Sequence, residues 1–175
     1  MTTSTDHERS RHGVTPAQGF AMVRIIFGLV YLNNAFAKLT QASDVHLGPL
    51  SGTLITRDGA RGILDRATND TWFPALGGFY RDVVLGHWDF FAWLLTVGEL
   101  AIAIGLLLGL ASRLAALGAL ALIGPIWVLV LGQGSYLWTY PVELLPLLVL
   151  AIAPSGRAWG LDGRLVSRFG SRWPL

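Results

Sequence analysis

The chain has 175 residues, of which 53 % are hydrophobic and only 14 % charged, with a formal net charge of +2 and no cysteine. Soluble domains carry about 25 % charged residues, so the composition argues against a soluble enzyme, and against a disordered chain, which needs few hydrophobes and many charges. The small net charge, without a basic block, argues against nucleic-acid binding, and the missing cysteines exclude thiol catalysis, disulfides, iron–sulfur clusters and cysteine zinc sites within this chain.

In chain order, residues 1–18 form a polar tail with Arg9 and Arg11. The apolar run 19–39 is too long for a signal-peptide core and reads as a retained membrane helix. Residues 40–86 form a loop long enough to be functional or to carry its own structure. Within it, residues 56–67 read as a short helix. Trp72, Phe73, Phe79, Tyr80 and Trp88 form an aromatic cluster. It suits either an interfacial belt that anchors the loop or a lid over an outward-facing pocket. Three further runs, 87–110, 114–131 and 136–153, read as membrane helices, the run 114–131 with a kink at Gly124-Pro125. In the tail 154–175, Leu161, Leu165, Phe169 and Trp173 recur every four residues, and Arg164, Arg168 and Arg172 do so one position earlier. That pattern suits an interfacial helix with a basic stripe for anionic lipid, or a docking helix for a cytoplasmic partner.

The expected fold is therefore all-α: an integral membrane four-helix bundle (residues 19–153) with a long outer loop and an amphipathic tail. Arg9, Arg11, Arg113, Arg157, Arg164, Arg168 and Arg172 flank the helices on one side, whereas residues 132–139 carry no Lys or Arg. Arg57, Arg61, Arg66 and Arg81 in the first loop are offset by five Asp. The positive-inside rule then puts both termini in the cytoplasm. His7, His12, His46 and His87 all lie outside the middle of the apolar runs, so a bis-histidine haem inside the membrane is excluded.

The informative residues are the ionisable ones inside the helices. A charge near the bilayer centre costs roughly 2.5–3.5 kcal/mol on insertion scales, so such groups pair or line a site. There are four: Arg24, Lys38, Glu99 and Glu143. Arg24, Gly28, Tyr31, Ala35 and Lys38 share one helical stripe, and Asn33 and Asn34 extend its polar side. Thr96 and Glu99 share a face of the second helix, and Glu143 lies between Pro141 and Pro146 in the fourth. Depth along the helices suggests pairing Arg24 with Glu99 and Lys38 with Glu143, across axial gaps of about 8–10 Å that snorkelling side chains can partly close. The chain has twelve Arg and one Lys. A buried lysine can exchange its proton whereas arginine stays charged. Lys38 and Glu99 are thus the candidate catalytic residues, with Arg24, Tyr31, Asn34 and Glu143 lining a pocket for a quinone head group or a small anion. The alternative is that these charges only hold the helices together, and Lys38 alone also suits an interfacial anchor.

Arg24-Ile-Ile-Phe-Gly-Leu with Asn34-Ala-Phe-Ala-Lys38-Leu resembles the first helix of the DoxX/DoxD membrane proteins. Gly98-Glu99-Leu and Gly105-Leu-Leu-Leu-Gly-Leu-Ala-Ser-Arg113 resemble their second helix and turn. Tyr140-Pro-Val-Glu143, Pro154-Ser-Gly-Arg157 and Gly160-Leu-Asp162 resemble their fourth helix and exit. The resemblance spans about residues 19–165, and the long first loop is closer to the DoxD-type subunit. It implies a quinone-linked membrane protein of the bacterial cytoplasmic (inner) membrane, with thiosulfate:quinone oxidoreductase as the best-known association. In that enzyme the DoxD-type subunit works with a second subunit, DoxA, and no DoxA-like domain is fused here.

From the residues alone, any redox role needs a diffusible quinone or a partner subunit that holds the cofactor, because no covalently bound cofactor or metal is expected. Tyr31, Lys38, Glu99, Trp93, Trp127 and Trp138 suit a quinone slot, and Lys38 with Arg57, Arg61 or Arg81 suits an anion. Two other functions compete: a non-catalytic scaffold subunit of a larger membrane complex, and a small-solute or lipid carrier, for which a homo-oligomer would compensate for having only four helices.

Overall fold

A computed structural model describes residues 13–134, 138–170 and 173–174. Outside the described residues lie most of the N-terminal tail with His7, Arg9, Arg11 and His12, the expected start of the fourth helix at Tyr136, and Arg172. Among the described residues three helices are long and apolar enough to cross a membrane: α1 (Pro16–Thr40), α4 (Trp88–Leu108) and α5 (Ser112–Val130). Helix α6 (Thr139–Ile152) completes an all-α membrane bundle but is shorter than expected, with 14 residues. That is about 21 Å of rise against the ~30 Å needed to span. Its end is set by Pro154, because the preceding Ala153 takes an extended conformation (ψ 141°) that cannot continue a helix.

Helix α1 begins three residues before the expected boundary because Thr15 and Gln18 form a capping box and Pro16 opens the first turn. Gly109 ends α4 in the left-handed conformation (φ 61°), with Leu110 N–H donating to the Gly105 carbonyl at 2.9 Å. This Schellman-type stop turns the chain directly into α5. The loop is more structured than its sequence suggests. It holds an antiparallel hairpin, β1 (Asp44–Leu47) and β2 (Leu50–Thr53), in which Leu47 pairs with Leu50 around a two-residue Gly48-Pro49 turn. Gly48 takes the positive φ of 61° that so tight a turn requires. Then come α2 (Arg57–Asn69), where the short helix was expected, α3 (Pro74–Phe79) and a π-helical turn, Tyr80–Leu85.

Packing follows chain order. Helix α1 lies antiparallel on α4, α4 on α5 and α5 on α6, whereas α1 and α6 barely meet. Small residues allow this. Ala21 and Ala35 are fully buried, and a Cβ at Gly28 would sit 2.8 Å from Leu107 Cγ, so glycine lets the helices approach closely. One core, including Tyr31, Ile102, Leu106, Ala116 and Leu147, fills the bundle. A second, including Leu64, Val84, Trp88 and Leu129, lies under the loop helices. Outward positions such as Ile26, Val97, Val142 and Ile152 are large, apolar and exposed. In water that surface would be a liability; on a membrane protein it faces lipid.

The end of the bundle nearest Arg24 is closed by a buried polar clamp. Asp162, in the first turn of α7 (Leu161–Phe169), is 1 % exposed. It accepts from Ala111 N–H at 2.6 Å, Ser112 N–H at 3.0 Å and Ser112 Oγ at 2.8 Å. Helix α5 has alanine at its own N-cap and no local side-chain cap, so Asp162 caps it from a distance. Ser112 Oγ in turn accepts from Gly156 N–H at 3.1 Å. On α7 itself Leu161 and Leu165 are half-buried and Arg164 and Arg168 are exposed, while Phe169, the third member of the apolar repeat, is exposed as well. Asp162→Ala leaves two backbone donors of α5 without a partner. It is expected to lower stability in detergent by about 2–3 kcal/mol, against less than about 0.5 kcal/mol for Asp89→Ala at an exposed position, as measured by thermal unfolding.

Candidate functional site

All five members of the expected α1 stripe, Arg24, Gly28, Tyr31, Ala35 and Lys38, are buried. The two cations have different partners from those expected. Lys38 pairs with Glu99: Nζ donates to Oε1 at 3.0 Å and lies 2.9 Å from Oε2, with both side chains nearly inaccessible. Among the described residues, Arg24 pairs with no carboxylate. Its guanidinium donates to the carbonyls of Leu106 (2.6 Å), Leu107 (3.5 Å), Ala158 (3.3 Å) and Trp159 (3.1 Å).

The antiparallel register of α1 on α4 explains both corrections. Arg24 abuts the α4–α5 turn at Gly109, where a Cβ would collide with its guanidinium. Glu99 lies ten residues back along α4, about 15 Å away, beyond the reach of the side chain. At the turn, backbone carbonyls that end α4 need donors, and Arg24 supplies them. Lys38, half a helix further along α1, comes level with Glu99 instead. Glu143 stays with the α5–α6 pair and accepts from Trp127 Nε1 at 3.2 Å. Among the described residues Lys38–Glu99 is the one ion pair.

That pair forms the floor of a cavity of about 460 Å³, within the usual range for ligand sites, which Asn34 and Glu143 also line. Four of the six expected site residues thus converge. Arg24 belongs to the clamp at the far end. Tyr31 lies in the bundle core, its hydroxyl buried with no hydrogen-bond partner among the described residues. Asn33 faces outward and does not join the polar side.

The rest of the lining is apolar and aromatic. Trp88, Phe91, Leu95 and Glu99 follow one face of α4, Ile126 comes from α5, and Leu64 and Val84 come from the loop. These α4 residues are spaced i, i+3, i+7 and i+11, but α4 is equally apolar at outward positions such as Phe90 and Val97, so periodicity did not single them out, and the loop residues carried no signal either. Trp93, Trp127 and Trp138 do not line the cavity. Trp93 instead stacks under Arg57, with the guanidinium carbon 4.4 Å from the ring centroid.

The aromatic cluster of the loop divides in two. Phe79, Tyr80 and Trp88 line the cavity, whereas Trp72 and Phe73 are exposed and stack on each other. Burial holds the Tyr80 phenol above its usual range, so it is an uncharged donor at neutral pH. The loop helices are strapped to the end of α5: Trp72 Nε1 donates to the Val128 carbonyl at 2.9 Å, and Gln133 Nε2 donates to the Ala67 carbonyl at 3.1 Å. Of the loop arginines, Arg81 donates to the Thr68 carbonyl at 2.7 Å, and neither Arg57, Arg61 nor Arg81 lines the cavity.

The DoxX family model matches residues 19–132, well over half of the chain. The chain belongs to the DoxX family. The matched span takes in both Lys38 and Glu99, and ends before α6 and Glu143. No curated protein and no solved structure matches the chain. Family membership and the apolar helices together make this DoxX protein membrane-embedded.

An ion pair buried this deeply gives a sharp mutational signature. Removing one partner strands the other charge and costs about 3–5 kcal/mol, whereas replacing both with apolar groups is near neutral. Lys38→Met is therefore expected to destabilise the protein strongly. Adding Glu99→Leu should bring stability back to within about 1 kcal/mol of wild type, measured by denaturant unfolding in micelles. An unchanged Lys38→Met protein would mean that the pair is screened by water.

Proposed function

We propose that this DoxX protein is the membrane subunit of a quinone-linked oxidoreductase in the bacterial cytoplasmic membrane, with both termini in the cytoplasm and the loop helices outside. One observation carries the reading: a buried Lys–Glu pair closes the floor of a cavity that is otherwise apolar and aromatic. A quinone is a flat apolar ring with carbonyl acceptors, and a slot of apolar walls with a few polar groups at one end suits it. In this reading Lys38 Nζ donates to a head-group oxygen, and Glu99 positions the lysine and exchanges protons with it. Asn34 and Glu143 meet the second polar edge of the ring.

Reducing a quinone to a quinol takes two electrons and two protons. The side chains here handle protons and hydrogen bonds, so the reading assigns the electrons to a redox group on a partner subunit. If the donor is thiosulfate, as the likeness to the DoxD-type subunit suggests, its oxidation is assigned to that partner and not to this cavity. Lys38 is the only cation lining the cavity among the described residues, and Glu99 already neutralises it. A small anion would have to compete with that carboxylate.

Titration of a short-chain ubiquinone analogue into the full chain in lipid nanodiscs tests the proposal. Lys38→Met should weaken binding at least about tenfold, equivalent to ~1.4 kcal/mol. The decisive protein is the Lys38→Met, Glu99→Leu double variant, which is expected to be stable yet still to bind weakly. Wild-type binding by that variant would make the pair simple interhelical glue and favour the scaffold role.

A further inference from the structure

The cavity wall has two chemically distinct parts. Its polar groups, Asn34, Lys38, Glu99 and Glu143 together with Tyr80, are all buried or half-buried. The lining residues that are exposed are Ile55, Ile63, Phe79, Leu94 and Ala121, and every one is apolar. Polar or charged side chains on a mouth that meets lipid would be costly. This rim carries none, and two of its residues belong to membrane-length helices. Leu94 lies about 9 Å along α4 from its start, and Ala121 is the midpoint of α5.

The packing of α4 on α5 shows where the mouth lies. Toward the Arg24 end the seam is tight: a Cβ on Gly105 would sit 2.8 Å from the Ala115 Cβ, and one on Gly118 would sit 3.6 Å from Ile102. Contact continues to Gly98, opposite Leu122. Beyond Gly98, the residues Phe91, Leu94 and Leu95 of α4 and Ile123 and Ile126 of α5 line the cavity. A Cβ on Gly124 would meet nothing within 4 Å. Pro125 has no N–H to give to the carbonyl of residue 121, so the α5 backbone is left a donor short at Ala121 itself. Such a gap is tolerated at membrane depth where the backbone lines a cavity. Above the gap, the Arg57–Trp93 stack holds the start of α2 against α4, and Ile55 just before α2 and Leu94 of α4 both line the cavity.

We propose that the cavity opens sideways into the acyl-chain region, between α4 and α5 and beneath the start of α2. Its ligand is then an uncharged amphiphile dissolved in the bilayer that arrives polar end first at Lys38–Glu99, and not a water-soluble anion. The identity of the ligand rests on the function proposed above; the route does not, because it can be measured without any ligand.

The chain has no native cysteine, so single cysteines can carry a nitroxide in the full-length protein in phosphatidylcholine nanodiscs. Labels go on Leu95→Cys and, independently, Ile126→Cys in the cavity wall, with Val97→Cys on the lipid face and Asp58→Cys in the loop as references. Two relaxants are compared: oxygen, which concentrates in lipid, and a nickel chelate, which stays in water. The wall positions should relax with oxygen as position 97 does, and Leu94→Trp should abolish oxygen access at 95 and 126 but not at 97. Relaxation by the nickel chelate, as at position 58, would mean an aqueous mouth and overturn the proposal. Relaxation by neither would mean a sealed cavity and overturn it equally. A protein that binds no quinone but shows the lipid-side pattern would discard the quinone and keep the route. The reverse result would keep the quinone and discard the route.

Discussion

Two cations on one face of α1 govern the architecture, because the membrane interior offers them no water. Arg24 and Lys38 are both buried, and each must be satisfied by protein. Arg24 takes carbonyls at the ends of two segments, the α4–α5 turn and the stretch before α7. Lys38 takes a carboxylate. These two attachments, about 21 Å apart along α1, lock the register that the packing of α1 on α4 selects, and with it the depth at which the cavity floor lies. Gly28 between them lets the helices approach closely enough for both to be made at once.

The two ends of the molecule have different chemistry. At the Arg24 end, Asp162, Ser112, Gly109 and Gly156 are packed so tightly that a Cβ on either glycine would collide with a neighbour. Asp162 and Ser112 there cap α5 and close the turn. At the Lys38 end loop helices take the place of a tight turn, and Asn34, Lys38, Glu99 and Glu143 line open volume. The short motifs around Gly109, Ser112, Gly156 and Asp162 therefore belong to the scaffold. The chemistry, on the reading proposed here, belongs to Lys38 and Glu99.

The loop between α1 and α4 is what turns an open bundle end into a cavity. Helix α2 and the π-helical turn supply Leu64, Tyr80 and Val84 to its wall, and hydrogen bonds from Trp72 and Gln133 tie them to α5. Those hydrogen bonds act together with the second core, in which Leu64, Ala67 and Val84 of the loop pack with Trp88, Ala92 and Leu129, to hold the lid in place. The exposed Trp72 and Trp93 suit the interface, where an aromatic body and a polar tip are both accommodated.

The membrane character, the all-α class, the positions of α1, α4 and α5, the short helix in the loop and the four intramembrane charges were legible from the sequence. Apolar run length and the cost of a buried charge depend only on residue identity and local order. The inward face of α1 was legible for the same reason, since a 3.6-residue period is a local property. Which charges meet was not, because a pairing depends on the axial offset between two helices. That offset is decided where small residues let them approach, at Gly28 against Leu107, and where the turn after α4 stops. The hairpin, the capping of α5 by Asp162 from the far side of α6, and the cavity that α4, α5 and the loop enclose beyond Gly98 also required the tertiary structure. Each is a contact between segments distant in the chain, and in the membrane such contacts are selected by packing and by unsatisfied backbone groups, which leave no periodic trace in the sequence.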